Sequence, residues 1–253
     1  MAMLIASIGL IVDRVAIRDA GLHPPAVGQV AFSVAVADGV DVPVYLAGNV
    51  DGGCVILFPG QHGLAGGFEG QLAPLMASRG IATFTATYAA RPDGPRLTLE
   101  QARRFALEVV RQVEQRCGRR YLVIGRSLGS MLAAYATRGH RPAALLLEGA
   151  SPSLAAALRS AMTPLLGRRL ASWMPLERLL TTNYNLQDAL GAEPRFPVTI
   201  IQGARDVRTP ASDLTEPGAV PAWVEIVPVP DADHQGTWRA FMPEYIERIA
   251  GAL

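Results

Sequence analysis

Lysine is absent from this chain; all 23 basic residues are arginine. Chemistry that needs a lysine amine, whether a Schiff base or a P-loop phosphate site, is thereby excluded. Cysteine is scarce as well, with only Cys54 and Cys117. No C-x-x-C pair and no His/Cys cluster occurs, so no metal site is expected. Cys54 lies in an apolar strand-like run and Cys117 ends a helix-like one. Both are read as buried free thiols, with a disulfide between them as the alternative. Charged residues make up only 18% of the chain and the net charge is +1. That balance argues against nucleic acid or a polybasic contact with membranes. No linker-like run of Ser, Gly or charge interrupts the chain, so residues 1–253 are read as a single domain.

The longest apolar stretch is N-terminal, "MAMLIASIGLIV", and it is too short for a membrane span. No positive charge precedes Asp13, as a secretory signal would require. A buried strand or packing arm is expected there. The expected location is the cytoplasm, with this segment leaving export open.

What is present is an alternation of strand and helix signals. "QVAFSVAVA" and "VPVYLAG" flank Asp38-Gly39 and read as a hairpin. "CVILFPG" (54–60), "IATFTATY" (81–88), "YLVIG" (121–125), "AALLLEG" (143–149), "PVTIIQG" (197–203) and "WVEIVPV" (223–229) are continuous apolar runs. Such runs suit parallel strands buried on both faces. Thr98-Leu99-Glu100-Gln101 has the pattern of a capping box, and Ala102, Phe105, Ala106, Val109 and Val113 follow at helical spacing. Trp238, Phe241, Met242, Tyr245, Ile246 and Ile249 form an apolar stripe on a C-terminal helix. The fold class is α/β, a mostly parallel sheet with helices on both faces. Residues 151–195 lack a strand and read as two or three short helices broken by Pro164 and Pro175. They are expected to form a small helical cap over the sheet's carboxyl edge, where open parallel sheets bind ligands.

Gly125-Arg126-Ser127-Leu128-Gly129 is a G-x-S-x-G pattern. By composition alone it would arise by chance in about one such chain in ten. Its place between a strand-like and a helix-like run is what a nucleophile elbow needs. A serine hydroxyl is a weak nucleophile and needs a base, and the base an orienting acid. Of four histidines, His23, His62 and His140 lie in loops or turns elsewhere. Only His234, in "PDADHQGTW", follows the last strand-like run, as the order Ser…Asp…His requires. Asp206, in "IIQGARDVRTP", is the expected acid, with Asp213 as fallback and Arg205 and Arg208 as competitors for its carboxylate. Backbone N–H groups of Leu128 and Gln61 are the expected oxyanion donors, with His62 as an alternative to Gln61.

These residues resemble the alpha/beta hydrolase superfamily over about residues 29–253, in its esterase-like and serine-aminopeptidase-like branch. G-R-S-L-G, "IQGARDVRTP" and "DADH" carry the resemblance. It implies a triad of Ser127, Asp206 and His234 and a sheet of about eight strands whose first strands are antiparallel. It also implies a serine hydrolase that needs no cofactor. The family's oxyanion loop usually reads His-Gly; here it is Pro59-Gly60, which keeps the backbone donor.

The expected partner is a small-molecule acyl substrate, an ester or thioester of a small-to-medium apolar acyl group. Acyl transfer or peptide-bond cleavage on the same triad, and a non-catalytic binding protein on the same scaffold, are the alternatives. An aminopeptidase would need an acid for the substrate amine, for which Glu148, Glu69 and Asp233 are candidates. His62, Arg126, Tyr88, Leu154, Leu158 and Met162 are candidate substrate-lining residues, and Leu165 and Leu166 candidate walls of an acyl pocket. For any one leucine, ordinary helix packing is the favoured reading. A structural ion pair is favoured for Arg126. Oligomeric state has no signature in the sequence.

Overall fold

The computed structural model describes residues 17, 28–37, 40–61, 67–89, 96–118, 120–180, 184–193 and 195–253. The expected N-terminal arm lies outside the described residues, as does His62. Eight strands form one sheet: β1 (Gln29–Ala37), β2 (Val40–Ala47), β3 (Cys54–Phe58), β4 (Ala82–Ala86), β5 (Tyr121–Arg126), β6 (Leu145–Glu148), β7 (Val198–Gly203) and β8 (Glu225–Val229). Their spatial order is β1-β2-β4-β3-β5-β6-β7-β8. β1 and β2 pair antiparallel, as do β2 and β4; every later pairing is parallel.

Every residue of β3 to β7 is buried, which accounts for their unbroken apolar runs. Side chains alternate between two cores. Ile56, Val123, Leu145, Leu147 and Ile200 face one. Val55, Leu57, Leu122, Ile124, Leu146 and Ile201 face the other. The first core is closed by α2 (Leu99–Cys117) and α3 (Leu128–Ala136), the second by α1 (Phe68–Ala77) and the C-terminal helices α9 (Thr237–Ala240) and α10 (Met242–Ala252). The expected capping box opens α2. Thr98 Oγ1 accepts from the Gln101 N–H, and Gln101 Oε1 accepts from the Thr98 N–H at 2.9 Å. The helix buries the apolar residues its spacing picked out.

Between β6 and β7, the described residues form four helices: α4 (Leu154–Leu166), α5 (Arg168–Trp173), α6 (Leu176–Leu179) and α7 (Leu186–Leu190); α8 (Ala211–Leu214) follows β7. Pro164 does not break α4, contrary to expectation. It sits in the last turn, and the break comes at Gly167, whose φ of 75° ends the helix. Pro175 does separate α5 from α6.

The two cysteines are also corrected. They are not free thiols: Cys54, at the start of β3, is joined to Cys117, at the end of α2, with Cα atoms 6.2 Å apart. The pairing comes from the return of α2 to the amino edge of the sheet. Closing a loop of 63 residues removes unfolded-chain entropy worth about 4 kcal/mol.

Candidate active site

β3 is the point where the strand order reverses, with β4 on one side and β5 on the other. The crevice above such a switch point is where open sheets present their functional residues. Ser127 lies there, in the one-residue turn from β5 into α3, at φ 50° and ψ −118°. A non-glycine residue held there is strained, which the surrounding structure must enforce. The enforcement is visible. The Ser127 N–H donates to the Glu148 carbonyl at 2.8 Å, and its own carbonyl accepts from the Ser130 N–H at 3.0 Å. A Cβ on Gly125 would stand 2.7 Å from Ser130 Cα, and one on Gly129 would collide with the Phe58 and Pro59 carbonyls. The two glycines therefore let β5, α3 and the loop after β3 close on one another around the serine.

His234 and Asp206 come from two loops at the same edge. His234 Nε2 lies 3.1 Å from Ser127 Oγ, across 107 residues of sequence. His234 Nδ1 lies 2.7 Å from Asp206 Oδ2. Asp206 Oδ2 also accepts from Thr209 Oγ1 at 2.7 Å and Gln202 Nε2 at 3.1 Å. Its Oδ1 accepts from the N–H groups of Arg208 and Thr209 at 2.8 and 3.0 Å. Burial pushes the Asp206 carboxyl upward, but the hydrogen bonds and charge of His234, with those of Thr209, hold it below the usual range. An ionised Asp206 only accepts, so the proton of the imidazole sits on Nδ1 and the Nε2 lone pair faces Ser127.

A glycine again sets the tolerance. Gly149, just past β6 with φ 56°, has no Cβ where one would come within 3.0 Å of His234 Cε1 and 3.2 Å of Nδ1. Arg205 pairs with Asp231, Arg208 offers Asp206 its backbone N–H, and Asp213 accepts from Ser160. His140 pairs with Glu114.

The loop after β3 runs against the serine: a Cβ on Gly60 would lie 3.4 Å from Ser127 Cβ. Gln61 follows, half-buried. Tyr88 is buried and donates its hydroxyl to the Pro59 carbonyl at 2.7 Å, so it braces this loop. Burial, then the nearby Glu69, push its phenol well above the ordinary value. Leu128 opens α3, where first-turn N–H groups have no acceptor within the helix.

Arg126 is buried beside the serine. Its Nε donates to Glu148 Oε1 at 3.0 Å, its Nη1 lies 3.9 Å from Glu69 Oε1, and its guanidinium sits 5.0 Å from the Phe68 ring centroid. Tyr245 donates its hydroxyl to Glu148 Oε2 at 2.7 Å. Burial lowers the Arg126 pKa, but Glu148 and Glu69 outweigh it and raise the net value. Burial also raises Glu69, whose Oε2 has no hydrogen-bond partner among the described residues. Arg126 is thus committed to a structural pair, as the sequence reading favoured.

Of the other expected residues, Leu154 is buried in the first core, Leu158 packs against it, and Met162 is half-buried. Leu165 and Leu166 are not pocket walls. Both are exposed on the last turn of α4, which has run clear of the core. Sequence reasoning missed Thr209, Gln202 and Gly149. A threonine three residues after the acid was a turn signal that could have been read; the other two had none.

A sequence profile described as "Alpha/beta hydrolase family" matches residues 55–252. No curated protein sequence matches the chain. Among solved structures, the chain is similar to the Pyrococcus furiosus esterase Pf2001, at 17% identity and a TM-score of 0.68, over 92% of this chain and 94% of that one. It is similar to the Rhodococcus esterase RhEst1, at 17% identity and a TM-score of 0.62, over 89% of this chain and 100% of that one. It is also similar to the Paleococcus ferrophilus monoacylglycerol lipase, at 17% identity and a TM-score of 0.57, over 84% of this chain and 99% of that one. With a family profile spanning most of its length on this sheet, the chain belongs to the alpha/beta hydrolase family.

Proposed function

We propose that this protein is a serine hydrolase acting on an ester or thioester with a small-to-medium apolar acyl group, and that Ser127, His234 and Asp206 are its triad. One observation carries the reading: the unbroken relay from Ser127 Oγ to His234 at 3.1 Å and on to Asp206 at 2.7 Å. His234 Nε2 takes the Ser127 proton as Oγ attacks the acyl carbon. The N–H groups of Leu128 and Gln61 hold the oxyanion, supported by the approach of the loop to Ser127 at Gly60, where an added Cβ would stand 3.4 Å from Ser127 Cβ. The tetrahedral intermediate collapses, and the alcohol or thiol leaves with the proton from His234. Water, giving its proton to His234, then attacks the acyl-enzyme. The acid departs, and Ser127 regains its proton.

The peptidase alternative has less support: Glu148 is held by Arg126 and Tyr245, Glu69 is buried beside Arg126, and Asp233 accepts from the N–H groups of Gln235 and Gly236. Residues 151–195 serve as the cap of this single domain, with Leu154 and Leu158 on its inner side. The Cys54–Cys117 disulfide favours an oxidising compartment over the cytoplasm.

A fluorophosphonate probe tests the reading. It is expected to label the wild-type protein and not Ser127→Ala, and a panel of p-nitrophenyl esters, acyl-CoAs and aminoacyl-naphthylamides then sorts the substrate class. Failure to label wild type would leave a binding protein on this scaffold.

A further inference from the structure

Seven large apolar side chains are exposed among the described residues, and four of them fall within nine residues: Leu165, Leu166, Leu170 and Trp173. Three are far out, with Leu165 at 84%, Leu170 at 63% and Trp173 at 89% exposure. The other three, Val30, Leu75 and Val207, are scattered along the chain. Single exposed apolar residues need no explanation, but a cluster does. Leu170 and Trp173 are three residues apart on α5 and so share a face. Leu165 and Leu166 end α4, which packs on α5 across Gly167.

The charge of this stretch is equally uneven. Residues 154–173 hold Arg159, Arg168 and Arg169 and no acid, in a chain with 22 acidic residues. The next acid, Glu177, is taken up by Arg159 at 2.8 Å. The overall charge of +1, which spoke against a basic membrane contact, hides this local segregation. In space, Asp213 meets α4 at Ser160, five residues before Leu165. Tryptophan and leucine beside Arg168 and Arg169 is the composition of a segment that lies in a lipid interface.

We propose that the tip formed by α4 and α5 docks this protein on an anionic lipid surface, with Trp173, Leu170 and Leu165 entering the headgroup layer and Arg169 meeting lipid phosphates. α4 starts at its cap Ser153, four residues after Gly149, which seats His234. At 13 residues it spans about 20 Å, so the docked tip holds the Ser127 crevice about one helix length from the lipid.

The full chain is mixed with phosphatidylcholine vesicles made with or without phosphatidylglycerol. Binding is read by co-sedimentation and by tryptophan emission. Trp238 is buried and Trp223 half-buried, so Trp173 is the reporter. The expected result is binding to the anionic vesicles, about tenfold weaker without phosphatidylglycerol, with a blue shift that Trp173→Ala abolishes. Trp173→Ala and Leu170→Ser should each weaken binding by about tenfold, and Arg169→Gln by about fivefold. Both apolar positions are exposed, so these variants should fold as wild type does. Three results would each overturn the proposal. One is no sedimentation with anionic vesicles. Another is binding that neither apolar substitution weakens. The last is a lipid-free dimer that shields Trp173 from a soluble quencher, which would make a second copy the occupant.

Discussion

Asp206, in the relay to Ser127, and Glu69, beside Arg126, are both buried carboxyls, and their surroundings push them in opposite directions. Asp206 accepts from His234, Thr209, Gln202 and two backbone N–H groups. Its pKa falls despite burial. Glu69 has a distant Arg126, shared with Glu148, and one oxygen with no partner among the described residues; its pKa rises. Burial alone does not decide ionisation. The number of donors aimed at the carboxylate does. Asp206 is built to stay charged and hold an imidazole, while Glu69 is built into a wall that supports the elbow.

The largest effect should come from the Asp206 side. Asp206→Asn, which keeps the shape and loses the charge, is expected to lower turnover by about 10³–10⁴-fold with the fold intact. Steady-state kinetics and circular dichroism on one preparation check it, and an equal loss in Asp213→Asn would move the acid elsewhere.

On the other side, Arg126→Met should cost stability first. It strands Glu148 and Glu69 without a cation, at about 3–5 kcal/mol by chemical denaturation. Arg126→Met combined with Glu148→Gln should be less destabilised than Arg126→Met alone, because no unpaired glutamate is left at that position.

Gly149→Ala tests the seat of His234. A Cβ there meets the ring at 3.0 Å in a backbone conformation that disfavours alanine. A misplacement of this kind is expected to lower kcat by about 100-fold, with a smaller change in KM.

The smallest effect concerns pH. The Asp206 contribution to stability is full above its unfolded value, near ~3.9, and is lost as pH falls through its lower folded value. Glu69 has the opposite sign. Its contribution is present below its unfolded value, near ~4.3, and is lost as pH rises through its higher folded value. Glu69→Gln should therefore change stability by no more than about 1 kcal/mol and flatten its decline above pH ~4.3. A denaturation series from acid to neutral pH reads both limbs, and an unchanged slope in Glu69→Gln would remove Glu69 from the comparison.

Much of this was readable from residues alone because it is local. The apolar runs of β3 to β7, the Thr98 capping box and the glycines beside Ser127 each act within a few positions. The Pro164 error is instructive: the proline removes one N–H donor, yet the helix runs on through it, and the glycine three residues later ends it. The Cys54–Cys117 bond was unreadable because 63 residues separate the partners and both stretches look like ordinary core.

The sequence by itself determined the succession of strands along the chain, the turn that holds Ser127, and the absence of any lysine chemistry. Those follow from side-chain period and backbone freedom, which neighbouring residues dictate. The tertiary structure alone decided that Gly149 would make room for His234, that Glu148 would claim Arg126, and that Trp173 would stand in solvent. Each of these depends on distances between elements, and only the closed sheet and its packed helices set them.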